Sequence, residues 1–190
     1  MIEVKEIGEY TVKVDYENYP ESPREWDNLG KMVCFHKRYS LGDKHNYKLN
    51  DYESFEELKK DILKNEKVGV ILPLYSYDHS GICISTSSFS CHRDSGQIGF
   101  IYTTREEILK NFRGKILTQK LKTSVEQILE NEVELYSKYM EGEVYSFEIL
   151  KDDERIEYCG GYYDIDECMK EGVDIVNYMI KKNVVHQEIF

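Results

Sequence analysis

The sequence lacks long apolar stretches. No apolar run reaches the roughly 18 residues that a membrane-spanning helix needs. The first residues, Met1 to Glu6, contain no basic segment followed by an apolar one, which a secretion signal would require. We therefore expect a cytoplasmic protein with no membrane partner.

Paired cysteines are also missing. The five cysteines are an odd number at irregular spacing, with no CxxC pair. This pattern excludes a disulfide framework and a zinc finger, and it is typical of reduced thiols in a cytosol. The sequence predicts no metal and no cofactor.

Cations are scarce. Lys and Arg total 25 against 36 Asp and Glu, which gives a formal net charge of −11, and the basic residues are scattered. Phosphate groups would be repelled by such a chain unless its cations clustered on one face. Direct binding to nucleic acid is therefore not expected.

The composition is that of a folded globular protein. Hydrophobic residues make up 41% of the 190 residues, and 16 tyrosines supply large half-buried surfaces. This length fits one core better than two, so we predict a single domain over residues 1–190. No internal repeat or low-complexity segment is present.

Alternation and capping signals predict an α+β fold. Residues 10–16 alternate apolar and polar side chains, as a strand with one buried face does. Capping boxes that begin at Ser54 and Thr104 each precede a helix, and apolar residues at helical spacing predict a long helix over about 118–140. Further strands are expected at 31–36, 68–75, 82–85 and 97–102, a hairpin at 144–150 and 156–163, and a last helix from Asp164 or Asp166. We expect one antiparallel or mixed sheet, covered by the long helix.

Polar residues that could carry chemistry concentrate in residues 76–97. This segment joins two predicted strands through turns, so its side chains could converge at one end of a sheet. The candidates are Asp78, His79, Cys91, His92, Asp94 and Gln97.

Two kinds of chemistry are open for this segment. Cys91 could be a nucleophile, with His79 or His36 as its base and Asp94 or Asp78 orienting the imidazole. The alternative is a structural cysteine in a loop, because no family-specific cysteine motif surrounds it. A metal site built from His36, His79, His92 and the aspartates is a weaker hypothesis, since no known ligand spacing occurs.

A second candidate group lies in the loops around residues 24–39. Arg24, Trp26, Asp27 and His36, with Lys37, Arg38 and Tyr39 nearby, are types suited to stacking and to binding an anion. We predict that 24–38 and 76–97 form one contiguous surface. Glu130, Glu132 and Glu134 on the long helix form a candidate partner surface, with a solvated helix face as the alternative.

Three segments resemble a family of small proteins that phages and prophages carry. They are SPREWDNLGKMVCFHKRYSLGD from Ser22, LPLYSYDHSG from Leu72 and FSCHRDSGQIGFIY from Phe89. The resemblance covers most of the chain, but it supplies no catalytic mechanism. Members of the family have Pro-Trp where this chain has His92-Arg93.

The resemblance implies an accessory protein of the bacterial host cytoplasm. Acidic phage proteins of this size act on host defences such as restriction, CRISPR effectors or nucleotide signalling. We therefore expect binding and inhibition of a host protein or protein–nucleic-acid complex, without turnover of a substrate. The alternatives are a Cys/His-dependent hydrolase and a binder of a small nucleotide signal. The sequence does not fix the host target or the oligomeric state.

Overall fold

The computed structural model describes residues 1–79, 81–91 and 93–187. Eight strands and four α-helices follow one another along these residues. In chain order they are β1 (Glu3–Ile7), β2 (Tyr10–Tyr16), β3 (Lys31–Cys34), α1 (Phe55–Asn65), β4 (Val68–Asp78), β5 (Ile82–Ser85), β6 (Ser95–Thr104), α2 (Arg105–Asn111), α3 (Gln119–Glu141), β7 (Tyr145–Lys151), β8 (Glu154–Tyr162) and α4 (Ile165–Gln187). Short 3-10 helices occupy Pro23–Glu25 and Leu49–Asp51.

The α+β prediction is confirmed, but the prediction of one sheet is wrong. The strands form two antiparallel sheets with the orders β1-β2-β7-β8 and β3-β6-β4-β5. The chain divides into a terminal unit, Met1–Glu21 with Gly142–Phe190, and a central unit, Ser22–Glu141. Because this division does not test whether the chain folds as a whole, the single domain stays a prediction.

The terminal unit packs α4 on one face of its sheet. Alternate residues of β2 and β7 are buried against apolar residues of α4 and form one cluster that includes Val12, Phe147 and Cys168. The predicted hairpin and last helix are therefore confirmed. Asp152 and Asp153 form the two-residue turn of the hairpin. Both have positive φ, which a turn that matches the right-handed twist of the flanking strands requires.

The central unit places helices on both faces of its sheet. Leu129 and other apolar residues of α3 pack with Ile101 on one face. On the other face, Leu58 and Ile62 of α1 pack with Phe100. The predicted long helix therefore covers a sheet, and its observed bounds are within one residue of the expected ones.

A β-bulge interrupts β6 where it pairs with β4. Leu74 pairs with Gly99 and Tyr75 with Gln97, so Ile98 is an extra residue on β6. As a result Ile98 packs in the cluster of α3, whereas Phe100 packs in the cluster of α1. The bulge turns the start of β6 relative to the rest of the strand, a common feature beside binding sites.

Candidate functional site

A cleft of about 990 Å³ opens in the central unit. Its walls are the segment that follows β3, the end of β4 and the residues that lead into β6. His36, Asp78, Asp94 and Gln97, all predicted as binding residues, line this cleft. The structure thus brings part of the 76–97 segment together with residues 34–38, whereas residues 24–33 of the predicted contiguous surface do not line the cleft.

Asp78 is the central acceptor in the cleft. One of its carboxylate oxygens accepts a hydrogen bond from the guanidinium of Arg38 and lies 3.5 Å from Nε2 of His36. Nδ1 of His36 accepts the backbone N–H groups of Arg38 and Tyr39, both at 3.3 Å. Because Nδ1 is an acceptor, the ring proton of neutral His36 resides on Nε2 and faces Asp78.

Aromatic contacts order the same wall. The rings of His36 and Tyr39 stack with centroids 5.2 Å apart, and the guanidinium of Arg38 lies over the Tyr39 ring at 5.4 Å. Phe35 packs edge-on against His45 at 5.0 Å. The wall therefore presents planar side chains beside cationic ones.

The predicted Cys91, His79 and Asp94 meet at one carboxylate oxygen. Oδ2 of Asp94 is 3.9 Å from the Cys91 sulfur and 3.4 Å from Nδ1 of His79. Among the described residues the thiol has no hydrogen bond to the imidazole, which a cysteine nucleophile needs for its activation. Asp94 therefore orients the His79 ring, but within the described part of the chain the imidazole makes no hydrogen bond to the Cys91 thiol.

The charge of the cleft differs from that of the chain. Four of the lining residues are Lys or Arg and three are Asp, with no Glu, whereas acidic residues outnumber basic ones in the whole chain. Asp43 is engaged by Arg24, and Asp78 by Arg38. Of the cations lining the cleft, Lys37, Lys44 and Arg93 form no ion pair with any described residue.

The predicted roles of Arg24 and Glu132 are corrected. The Arg24 side chain is only 6% exposed and contacts Asp43 through two nitrogens, at 3.1 and 2.6 Å, and Glu132 at 3.2 Å. Glu132 also accepts the backbone N–H groups of Leu29, at 2.7 Å, and Gly30. Both side chains tie the loop before β3 to α3, so neither is available to a ligand or partner.

Burial and the hydrogen-bond partners of Glu132 shift its pKa in opposite directions. Burial raises the pKa of its carboxyl, against the lowering effects of the Leu29 N–H group and Arg24. The guanidinium of Arg24 has a raised pKa despite its burial, because Asp43 and Glu132 favour its charged form. The group is therefore a structural ion network.

The other candidates lie outside the cleft. Trp26 and Asp27 are exposed in the loop before β3, and neither lines the cleft. Glu130 and Glu134 are exposed on α3, and Glu134 pairs with Lys138 at 3.8 Å. Their roles in binding a partner stay predictions.

Two residues of the cleft were not predicted from the sequence. Asp43 accepts the Met32 N–H group at 2.8 Å as well as Arg24. His45 lies 3.1 Å from the Cys34 carbonyl through Nε2, and its buried Nδ1 has no partner among the described residues. Both lie in a loop whose polar composition predicts only a connection, although His45 is flanked by the aromatic Phe35 and Tyr47 in space.

No set of three or more His, Cys, Asp or Glu side chains within the described ranges is placed to hold a metal ion. Of the three histidines in the metal hypothesis, His36 and His79 contact different aspartates. His92, the third, lies outside the described residues, as does Ser80.

The cysteines provide a test of the cleft's packing. Burial raises the pKa of the Cys34 and Cys168 thiols to about 12, whereas Cys91 and Cys159 are exposed. Since the thiolate is the reactive form, iodoacetamide at pH 8 should modify Cys91 and Cys159 of the native protein first. Mass spectrometry of the modified peptides measures the order, and the same reaction in urea, where all five should react, is the control. Labelling of Cys34 as fast as Cys91 would contradict the described packing of the cleft wall.

Comparison of the chain with known protein families, curated proteins and solved structures gives no match. The resemblance to phage-encoded proteins therefore stays a prediction. Over the residues that the structure describes, no helix has the length and apolar character to cross a membrane.

Proposed function

We propose that this chain is a binding protein whose central unit takes a small nucleotide in the cleft. The observation that carries the proposal is that Lys and Arg outnumber acidic residues by four to three in the lining of this cleft, whereas acidic residues predominate in the chain. Cations that line a cleft focus the field there and raise the local concentration of an anion. A ligand that brings negative charge is thus favoured at this site although the net charge of the protein opposes it.

Phosphate groups match the cations best. Lys37, Lys44 and Arg93 line the cleft without an ion pair to the described residues, so an incoming phosphate meets donors that need not leave another partner. Charge-assisted hydrogen bonds to phosphate are among the stronger polar contacts in proteins. Three such donors around one cleft suit a ligand with several phosphate oxygens.

The aromatic wall suits a nucleobase. Phe35, Tyr39 and Phe55 line the cleft, and Tyr39 is already stacked on His36. A purine or pyrimidine can extend such a stack, and base-to-aromatic stacking is worth about 1–3 kcal/mol. The volume of about 990 Å³ lies at the upper end of small-molecule sites, which accommodates a nucleotide.

Inhibition of a host macromolecule, the function predicted from the family resemblance, stays a prediction. Among the defence targets that it suggests, nucleotide signalling is the one that the cleft supports, because a protein that binds the signal withholds it from its effector. A Cys/His-dependent hydrolase is less favoured, since the Cys91 thiol faces a carboxylate.

Nucleotide binding can be measured directly. We expect ATP, GTP, cyclic AMP or cyclic di-GMP to bind in calorimetry, and the K37A/R93A variant to bind about a hundredfold more weakly, since each of the two lost charge-assisted contacts is worth about 1.5 kcal/mol or more. The affinity should fall as salt rises. The matched control is K110A/K115A, which removes the same charge from exposed positions outside the cleft lining.

Two results would contradict the proposal. One is that no nucleotide of this panel binds more tightly than inorganic phosphate. The other is an equal loss of affinity in K37A/R93A and K110A/K115A, which would assign the effect to net charge alone.

For the biological role, the native protein should restore phage growth in cells that carry a nucleotide-signalling defence, and K37A/R93A should not.

A further inference from the structure

Arg38 is the one cation of the cleft lining that is held by a carboxylate yet exposed to solvent. Its side chain is 62% exposed, whereas that of its partner Asp78 is 18% exposed. Exposed ion pairs of this kind contribute only about 0–1 kcal/mol, so the contact is easily exchanged for another anion. Arg38 can therefore change partners at low cost.

Asp78, in contrast, is fixed by the sheet. It is the last residue of β4, it pairs with Ile82 of β5, and its N–H group donates to the Asp94 carbonyl at 2.9 Å. Its carboxylate oxygen also lies 3.5 Å from Nε2 of His36, whose side chain is only 11% exposed. Only Arg38 is free to leave the pair.

We propose that Asp78 is an internal competitor for the ligand, occupying on Arg38 the position that a ligand phosphate takes. This inference rests on the proposed nucleotide-binding function and adds to it the feature by which the ligand is selected. A carboxylate ligand offers Arg38 no more than Asp78 already does. A phosphate offers more oxygens and up to two charges, so it displaces Asp78, and Asp78 retains its contact with His36.

If Asp78 competes with the ligand for Arg38, removing the charge of Asp78 should raise the affinity of the protein for phosphate compounds. The isosteric variant D78N keeps the shape of the side chain and removes its charge, and it should bind ATP and inorganic tripolyphosphate about two- to fivefold more tightly, as expected when a weak competing pair is removed. R38A should bind both probes more weakly. D94N is the matched control, because it removes one negative charge from the same cleft while its partner is His79 and not Arg38.

A double-mutant cycle separates competition from simple repulsion. If Asp78 competes for Arg38, the gain from D78N should disappear in R38A. An equal gain in both backgrounds would overturn the proposal in favour of general repulsion, as would an equal gain from D94N. A loss of affinity in D78N would mean that Asp78 positions Arg38 for the ligand instead of competing with it, and this too would overturn the proposal.

Tripolyphosphate distinguishes this inference from the function on which it rests. If D78N improves tripolyphosphate binding but no nucleotide of the panel binds more tightly than inorganic phosphate, the competition stands and the nucleotide assignment fails. If nucleotides bind and D78N changes nothing, the assignment stands and the competition fails. If tripolyphosphate binds to neither the native protein nor D78N, Arg38 is not a phosphate-binding residue and the inference is wrong.

Discussion

Replacement of Arg24 by methionine should lower the free energy of unfolding of the central unit by about 3–5 kcal/mol, the usual cost of removing one partner from a buried ion pair. The guanidinium donates to Asp43, to Glu132 and to the Gly30 carbonyl at 2.6 Å. Methionine fills much of the same volume but leaves both carboxylates without their cation. The large effect therefore comes from uncompensated charge and not from a cavity.

Urea denaturation followed by tryptophan fluorescence measures this loss. Trp26, the only tryptophan, lies two residues from Arg24 and so reports on the central unit. Arg38→Met is the matched control, because it removes the same group from an exposed pair, and its stability should stay near that of the native protein. Arg24→Lys keeps the charge but loses the two-nitrogen contact with Asp43, so an intermediate loss is expected. Equal stabilities of R24M and R38M would refute the buried-network description.

Local signals in the sequence predicted most helices and strands because their causes are local. The capping boxes are present in the structure: Ser54 accepts the N–H group of Glu57, and Thr104 accepts that of Glu107. Strand β2 has the predicted bounds because its alternation matches its buried face. Strand β1 was missed, since four of its five residues are exposed and it carries no alternating pattern of burial.

The number of sheets could not be predicted in the same way. Strand β2 pairs with β7, which follows more than a hundred residues later, and nothing in the alternation of either strand specifies that partner. A strand that buries one face has the same pattern in either sheet. Separate cores for the two sheets depend on which strands pair, and pairing over such distances is a property of the whole fold.

The same contrast between local signals and long-range contacts applies to the candidate site. Asp78 and Asp94 lie together, as predicted for the 76–97 segment, because β4 ends at Asp78 and pairs with β6, which begins one residue after Asp94. Arg24 and Glu132 are 108 residues apart, and each resembles an ordinary surface charge in its own segment. Only the folded chain shows that they neutralise each other below the surface.

Substitution of Gly99 by alanine should have an effect of similar size, at least about 3 kcal/mol, because it combines backbone strain with a collision. Gly99 has φ of +156°, which side chains rarely adopt. A Cβ atom at this position would lie 1.8 Å from the Val33 carbonyl oxygen on the paired strand β3. Since that atom is backbone within the sheet, it cannot move aside without breaking the pairing of β3 with β6.

Gly96→Ala is the matched control for Gly99→Ala. It is the same change in the same strand, but no atom lies within 4 Å of the added Cβ and φ is not positive, so its stability should change little.

The bulge at Ile98 and Gly99 also sets the direction of the residues that line the cleft, so any folded G99A protein should bind nucleotide more weakly than the native protein does. Urea denaturation and calorimetry of the two variants provide both measurements. If G99A matches G96A in stability, β6 tolerates an ordinary conformation at Gly99, and the bulge is not what positions this wall of the cleft.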